Sequence, residues 1–205
     1  MPFAIRTALS VFCLLWALCA GAAEKSILVF GDSLSAAHGI AAQRGWVALL
    51  GERLARERPD YRVVNASVSG ETSAGGRARL DELLERHRPA LVIVELGGND
   101  GLRGLPVAQM KANLDAIVVR SQKAGARVLM LGMKIPPNYG ADYADAFHAA
   151  FEDVAKRHRT ALVPFFLEGI AGKQELFQPD GIHPTAEAQP ELLERVWRAL
   201  APLLK

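Results

Sequence analysis

Short apolar runs alternate along most of the chain with longer segments in which apolar residues recur at helical spacing. The runs predict five strands, at residues 26–30, 61–64, 91–96, 128–131 and 161–163. The segments with helical spacing predict five helices, whose first apolar residues are Trp46, Leu80, Met110, Tyr143 and Leu192. Unbroken apolar runs are typical of strands buried on both faces, and strands separated by helices form right-handed βαβ units. The pattern therefore predicts one α/β domain with helices on both sides of a parallel sheet.

Polar residues follow four of the five predicted strands. They occupy residues 31–35, 65–72, 97–101 and 180–184. In a parallel sheet the ligand crevice lies beyond the carboxyl ends of the strands, so these loops are expected at one edge. Since Gly, Asp, Asn and Ser are ordinary turn residues, one such loop would mean little. Four polar loops at the same edge indicate a functional site.

The last of these loops, Asp180-Gly181-Ile182-His183-Pro184, combines a carboxylate and an imidazole in a tight turn. A proline disfavours helical backbone in the residue before it, so His183 is expected to be extended, and Pro184 suits the first position of the last helix. A carboxylate bonded to the histidine Nδ1 leaves Nε2 free to act as a base. Taken alone, the loop is read equally well as a helix-capping turn with a surface histidine.

Ser33 is the natural nucleophile, because it lies where the first predicted strand turns and its hydroxyl is lifted out of the sheet. A serine hydroxyl needs an adjacent base in order to react, and His183 can supply it. The alternative is a turn or helix-cap residue, with Asp32 in an Asx turn. Among the other histidines, His38 follows the same loop but has no carboxylate nearby in the sequence.

Acyl transfer from such a serine also requires hydrogen-bond donors for the developing oxyanion. The candidates are the backbone N–H groups of Ser33 and Gly70 and the side-chain amide of Asn99. For Gly70 and Asn99 taken singly, an ordinary turn role is the alternative. Considered together with Ser33 and His183, a catalytic role is favoured.

Other site chemistries fit the sequence less well. The chain has no G-x-S-x-G nucleophile elbow, and residues 70–76 are glycine-rich without the lysine of a P-loop. A metal site formed by Asp100, Asp180 and His183 is conceivable, but no H-x-H or H-E-x-x-H pattern supports it. No metal and no cofactor is therefore expected.

The chain resembles the GDSL or SGNH hydrolases at four ordered blocks. These blocks are Gly31-Asp32-Ser33-Leu34, Gly70, Gly98-Asn99-Asp100 and Asp180-Gly181-Ile182-His183-Pro184. The resemblance extends from about Ile27 to the C-terminus. The stretches 63–67, 94–104 and 137–140 resemble the periplasmic branch of multifunctional acyl-CoA thioesterase I, protease I and lysophospholipase enzymes, which includes arylesterases.

This resemblance implies a flavodoxin-like three-layer α/β/α sandwich with a five-stranded parallel sheet, the SGNH hydrolase fold. It implies Ser33 as nucleophile, His183 as base and Asp180 as the residue that orients the base. The Ser33 and Gly70 N–H groups and the Asn99 side chain would form the oxyanion hole. The implied activity is hydrolysis of carboxylic esters and thioesters through an acyl-enzyme, with acyl-CoA, aryl esters and lysophospholipids as candidate substrates.

In that branch the loop after the fourth strand lines an acyl groove. Here the loop spans residues 133–139 and is apolar enough to contact an acyl chain. The substrate-binding residues expected from it, together with the neighbour of Ser33, are Leu34, Met133, Ile135, Pro136 and Tyr139. A simple proline-stiffened connection is the alternative reading of this loop.

The N-terminus has the composition of a secretory leader. Arg6 is its only charged side chain before Glu24, and an apolar stretch is followed by Ala20-Gly21-Ala22-Ala23. We expect residues 1–22 to be a signal peptide and 23–205 a single hydrolase domain that is periplasmic or secreted. The alternative, an uncleaved anchor, is disfavoured because a spanning helix needs about 20 apolar residues.

Composition adds few constraints beyond these. The 205 residues carry a net charge of +2, which becomes +1 without the leader and gives no reason to expect nucleic acid as a partner. Both cysteines, Cys13 and Cys19, lie in the leader. We expect a monomer without a stable membrane anchor that acts on a small acyl ester or thioester.

Three other functions remain open from the residues alone. A carbohydrate O-deacetylase would share the fold, although the apolar loop after the fourth strand argues against it. A non-catalytic binding module would not be labelled at Ser33 by a fluorophosphonate, and a metal-dependent hydrolase would lose activity with EDTA.

Overall fold

Five parallel strands form the centre of the molecule, which the computed structural model describes over residues 24–205. The strands are β1 (Lys25–Gly31), β2 (Tyr61–Asn65), β3 (Leu91–Glu95), β4 (Arg127–Leu131) and β5 (Ala161–Val163). Their order in the sheet is β2-β1-β3-β4-β5, and every neighbouring pair is parallel. The five predicted strands are thereby confirmed, each within one or two residues.

Within the described part of the chain, six α-helices accompany the sheet. They are α1 (Trp46–Glu57), α2 (Ser73–His87), α3 (Gly98–Leu102), α4 (Val107–Lys123), α5 (Ala141–His158) and α6 (Gln189–Leu200). Helices α1 and α6 pack together, while α2, α4 and α5 pack side by side. With the sheet between these two groups, the molecule is the three-layer α/β/α sandwich expected from the alternating pattern.

The central strands are apolar because both of their faces are covered. Ile27, Leu28, Val29 and Phe30 in β1 have no exposed surface, and β3 is buried throughout. The strand order reverses direction between β1 and β3, and in open parallel sheets the ligand site lies at that point. Ser33 follows β1 and Asn99 follows β3, so both residues lie at this reversal.

Two local expectations about secondary structure were wrong. Residues 98–102 were expected to be a loop but form the short helix α3. The last helix was expected to start at Pro184, but it begins at Gln189 with a proline in its first turn. Pro184 instead pairs with Phe177 in an antiparallel bridge, which ties the loop of His183 to the preceding segment.

The predicted leader, residues 1–22, lies outside the described residues. Within residues 24–205, no helix combines the length and the apolar character that a bilayer span requires.

Candidate active site

Ser33 lies in a tight turn that begins where β1 ends. The Asp32 carboxylate Oδ1 accepts a hydrogen bond from the Leu34 N–H at 3.1 Å, which is the expected Asx turn. The Ser33 carbonyl accepts from the His38 N–H at 3.1 Å. The turn fixes the backbone of Ser33 and directs its hydroxyl towards the loop after β5.

Asp180, His183 and Ser33 form one continuous chain of hydrogen bonds. The Asp180 Oδ2 and the His183 Nδ1 are 2.7 Å apart, and the His183 Nε2 and the Ser33 Oγ are 2.9 Å apart. With a proton on Nδ1 donated to Asp180, the Nε2 atom accepts the hydrogen bond of the serine hydroxyl. The structure therefore brings Ser33 together with Asp180 and His183, which lie about 150 positions later in the sequence.

The carboxylate of Asp180 is fixed by the backbone of its own turn. Its Oδ1 accepts from the N–H groups of Ile182 at 2.8 Å and His183 at 3.0 Å. The backbone and side-chain hydrogen bonds of His183 lower the pKa of Asp180 to about 2. Asp180 is consequently ionised throughout the pH range in which an imidazole titrates.

A second histidine supports the ring of His183. The ring centroids of His38 and His183 lie 4.5 Å apart with an interplanar angle of 40°. The His38 carbonyl accepts a hydrogen bond from the Gln178 side chain at 2.8 Å. His38 thus limits the orientations open to the ring of His183, a contact that its sequence position did not indicate.

The three N–H groups predicted to bind an oxyanion follow β1, β2 and β3, and in the described part of the chain each is free of a hydrogen-bond acceptor or has one hydrogen to spare. The backbone N–H groups of Ser33 and Gly70 donate to no acceptor within residues 24–205. Gly70 has the positive φ of +78° that favours glycine, and its carbonyl is held by Arg103 at 2.9 Å. The Asn99 amide donates one hydrogen to the Asp32 Oδ2 at 2.9 Å, so its second N–H is left for the cleft.

The cleft beside Ser33 has a volume of about 1100 Å³. Leu34, Met133, Ile135 and Pro136 line it, as does the pair formed by Ser33 and His183. Gly70 lies outside this lining, on the loop after the neighbouring strand β2. The volume is ample for a ligand larger than an acetyl group, since typical small-molecule sites occupy about 300–1,000 Å³.

Tyr139 was expected to line the acyl groove, but it lies outside the cleft lining. Its hydroxyl instead donates a hydrogen bond to the Leu102 carbonyl at 3.1 Å. This contact holds the hydroxyl against α3, outside the cleft lining, which the apolar character of the loop could not reveal.

Much of the cleft wall comes from a segment that sequence reasoning did not single out. This segment follows β5, and its lining residues include Phe165, Leu167, Ala171 and Phe177. The available signal was a set of apolar residues in an irregular stretch between β5 and the loop of Asp180. Such a stretch has no period and therefore no predicted partner.

Asp100 takes no part in a metal site with Asp180 and His183. Its buried carboxylate accepts from the Ser73 N–H at 2.8 Å and the Ser73 hydroxyl at 2.6 Å. These bonds tie α3 to the first turn of α2. Among the described residues, no three His, Cys, Asp or Glu side chains are grouped as metal ligands would be.

The comparison with known proteins decides the family. The model of the GDSL-like Lipase/Acylhydrolase family matches residues 29–189, from within β1 to the start of α6. The chain belongs to this family. It is a carboxylic ester hydrolase with the SGNH hydrolase fold.

Individual relatives of this esterase match over nearly their full length. Esterase TesA of Pseudomonas aeruginosa is 57% identical over 183 residues, which cover 89% of this chain and 91% of that protein. Thioesterase 1/protease 1/lysophospholipase L1 of Escherichia coli K12 is 42% identical, covering 89% and 86%. The crystal structure of the esterase EstA from Pseudoalteromonas sp., inhibited by monoethylphosphonate, is 43% identical with a TM-score of 0.84, covering 88% of this chain and 98% of EstA.

Proposed function

We propose that the esterase works through Ser33 as nucleophile, His183 as general base and Asp180 as the residue that orients the base. The observation that carries this proposal is the unbroken hydrogen-bond chain from Asp180 through His183 to Ser33, which opens on the apolar cleft. Each link has the length that proton transfer needs, and a proton on the His183 Nδ1 would give both links the required direction.

The reaction proceeds in two halves. The Ser33 Oγ attacks the ester carbonyl carbon while the His183 Nε2 takes the hydroxyl proton, and a tetrahedral oxyanion forms. Collapse of this intermediate breaks the bond to the alcohol or thiol, which leaves with the proton from Nε2. Water then attacks the acyl-Ser33 ester, passes its proton through the same Nε2, and releases the carboxylic acid.

The oxyanion accepts hydrogen bonds from the Ser33 N–H, the Gly70 N–H and the Asn99 amide. Donors held in place before reaction need no reorganisation in the transition state, and one such donor is worth about 10²–10³ in rate. The fixed backbone of the Ser33 turn, the Arg103 contact to Gly70 and the Asp32 contact to Asn99 supply this rigidity.

The cleft indicates the substrate class. Its apolar wall fits the acyl chain of an ester or thioester, and the polar groups converge at one end, around Ser33. The names of the relatives, which include an arylesterase and a thioesterase/lysophospholipase, support acyl thioesters, aryl esters and lysophospholipids as substrates. We place this chain among hydrolases of medium and longer acyl chains.

Filling the cleft should change the chain-length preference. Ala171 lines the cleft and is exposed, so Ala171→Trp would occupy the space of an acyl tail without disturbing the core. We expect kcat/KM for a p-nitrophenyl decanoate to fall at least about tenfold while the value for the acetate changes less than about threefold, since each buried CH₂ is worth about 0.8 kcal/mol. A panel of acyl esters and acyl thioesters gives the measurement.

The control for this experiment is Ala149→Trp, an exposed alanine on α5 outside the cleft lining. It should leave the preference unchanged. Equal loss for acetate and decanoate in Ala171→Trp would contradict the acyl assignment of the cleft. A wild-type preference for an acetylated sugar over all acyl esters would instead favour the O-deacetylase.

We further propose that residues 1–22 are removed during export and that the mature enzyme is a periplasmic or secreted monomer. The charged start, the apolar stretch and the small residues before Ala23 support this proposal. The N-terminus of enzyme recovered outside the cytoplasm should be Ala23. An intact Met1 on the exported protein would contradict the leader.

A further inference from the structure

A buried acid, Glu95, lies directly beneath the nucleophile turn. It ends β3 and has no exposed surface. Its Oε2 accepts hydrogen bonds from the Asp32 N–H at 3.2 Å and from the Ser35 hydroxyl at 2.8 Å. One carboxyl group from the neighbouring strand therefore holds the nucleophile turn on both sides of Ser33, at Asp32 and at Ser35.

The turn is shaped to receive this side chain. Gly31 pairs with Glu95 in the β1–β3 register, and a Cβ atom at Gly31 would lie 2.7 Å from the Glu95 Oε2 and 2.8 Å from the Ser35 Oγ. Such contacts are too short for any residue but glycine. The close approach of β1 thus encloses the carboxyl group of Glu95 and excludes water from it.

Two buried carboxyl groups, Glu95 and Asp32, share this space. Burial raises the pKa of Glu95 well above its usual range, and burial likewise raises the pKa of Asp32 to about 6. The charge of Asp32 adds to this rise at Glu95, while hydrogen bonds from the Leu34 N–H and the Asn99 amide oppose the rise at Asp32. Burial thus favours the neutral form of Glu95, and Asp32, with its lower degree of burial, is the group that carries the charge at neutral pH.

The remaining oxygen of Glu95 agrees with this assignment. Its Oε1 is buried and accepts no hydrogen bond from any residue in the described part of the chain. A negative charge on a buried oxygen without a partner would be costly, and the neutral acid lowers that cost.

The charge on Asp32 determines how Asn99 presents its amide. An ionised carboxylate only accepts hydrogen bonds, so the Asn99 group that faces the Asp32 Oδ2 at 2.9 Å must be the NH₂ and not the carbonyl. The second N–H of that NH₂ then points to the cleft. A neutral or displaced residue at position 32 would allow the amide to flip and to present its carbonyl oxygen to the oxyanion.

We propose that Glu95 is a positioning residue for ester hydrolysis, which holds the Asp32 backbone N–H and the Ser35 hydroxyl and, through Asp32, orients the Asn99 amide towards the oxyanion. The inference rests on the proposed oxyanion role of Asn99. Glu95 touches neither substrate nor reacting atoms, and its effect on rate passes entirely through Asp32 and the nucleophile turn.

A double-mutant cycle with Asn99→Ala tests this inference. Glu95→Met keeps the length of the side chain but cannot hydrogen-bond. We expect it to lower kcat at least about tenfold and to change KM less than about threefold. The loss should be smaller than the factor of about 10²–10³ in rate that removal of a whole oxyanion donor costs. In the Asn99→Ala background, Glu95→Met should lower kcat less than about threefold further, because the residue it orients is already absent.

Glu95→Gln is the conservative variant. Its amide oxygen can accept from the Asp32 N–H and the Ser35 hydroxyl, as the Oε2 atom of Glu95 does, and its side chain carries no charge. We expect it to retain at least about a third of the wild-type kcat. A loss greater than tenfold in folded Glu95→Gln would overturn the neutral form, and this variant keeps the inference testable even if Glu95→Met does not fold.

Ser121→Ala provides the control for simple destabilisation. Ser121 is a fully buried serine on α4 whose hydroxyl donates to the Ile117 carbonyl at 2.9 Å, far along the chain from the site. It should lower the melting temperature and leave kcat unchanged. Fully additive losses for Glu95→Met and Asn99→Ala would overturn the role of Glu95 alone. An unchanged kcat in Asn99→Ala would overturn the oxyanion assignment, and the inference with it.

Discussion

Replacing Ser33 by Ala is expected to lower kcat for a p-nitrophenyl ester by about 10⁵–10⁶. Loss of a serine nucleophile in a comparable hydrolase costs about this much, and the remaining rate comes from the oxyanion hole and binding. The fold should be unaffected, because the only hydrogen bond of the Ser33 hydroxyl within residues 24–205 is the one to His183. Steady-state kinetics and the melting temperature of the purified variant check both parts.

Covalent labelling locates the nucleophile independently of turnover. A fluorophosphonate should add one phosphonyl group to the wild-type enzyme, at Ser33, and none to Ser33→Ala. Ser69→Ala is the matched control, since Ser69 is an exposed serine on the next loop whose hydroxyl lies 3.5 Å from His38. It should label fully. Adducts on Ser33→Ala, or activity within a hundredfold of wild type, would contradict Ser33 as the nucleophile.

Labelling, together with a chelator, also distinguishes a serine esterase from a binding module and from a metal-dependent hydrolase. A binding module would not react with the probe, and a metal-dependent hydrolase would lose turnover in EDTA. We expect stoichiometric labelling and unchanged turnover with the chelator, because the proposed chemistry uses only side-chain and backbone groups of this chain.

Site residues that lie in a local turn motif could be predicted from the sequence. Asp180 and His183 lie three positions apart in a stretch that must turn, and the structure joins them at 2.7 Å. Ser33 could be placed because the end of an apolar strand fixes where a parallel sheet presents its site. The sheet itself was predictable for the same reason, since buried parallel strands are marked by unbroken apolar runs.

Residues that act through distant partners could not be placed in this way. Glu95 is a single acid at the end of an apolar strand, and its partner Asp32 is 63 positions away. Neither residue forms a motif with the other, and only the pairing of β1 with β3 brings them together. The start of the last helix was misplaced on similar grounds, because the bridge of Pro184 to Phe177 depends on a contact across an irregular segment.

Replacing Asp180 by Asn is expected to lower kcat by about 10⁴, with little change in KM or stability. The corresponding change in serine proteases has this effect because the histidine adopts the wrong tautomer. Here the structure determines which tautomer results. The Oδ1 of residue 180 accepts from two backbone N–H groups, of Ile182 and His183, so an asparagine must keep its oxygen there.

The amide nitrogen of Asn would therefore take the place of Oδ2, 2.7 Å from the His183 Nδ1. A donor in that position makes Nδ1 the acceptor and moves the imidazole proton to Nε2. With a proton on Nε2, His183 can no longer accept the proton of Ser33. The ¹⁵N shifts of the His183 ring should show this change of tautomer directly, in parallel with the loss of kcat.

The pH dependence of the wild type should not report Asp180. Its pKa is lowered to about 2, so its contact with His183 is fully present above the ordinary value of 3.8 and is lost only as the pH falls towards 2. The acid limb of the kcat/KM profile should instead contain the titration of the Asp32 carboxyl, whose pKa burial raises to about 6.

Asp115→Asn is the matched control, because Asp115 forms an equivalent carboxylate–imidazole contact with the His158 Nε2 at 2.8 Å on the outer helices α4 and α5. It should leave kcat and the acid limb unchanged. If Asp180→Asn lost less than about tenfold in kcat while the ring spectrum showed the Nε2–H tautomer, His183 would not be the base. Retention of the Nδ1–H tautomer would mean instead that the amide is held the other way, which the two backbone donors at Oδ1 oppose.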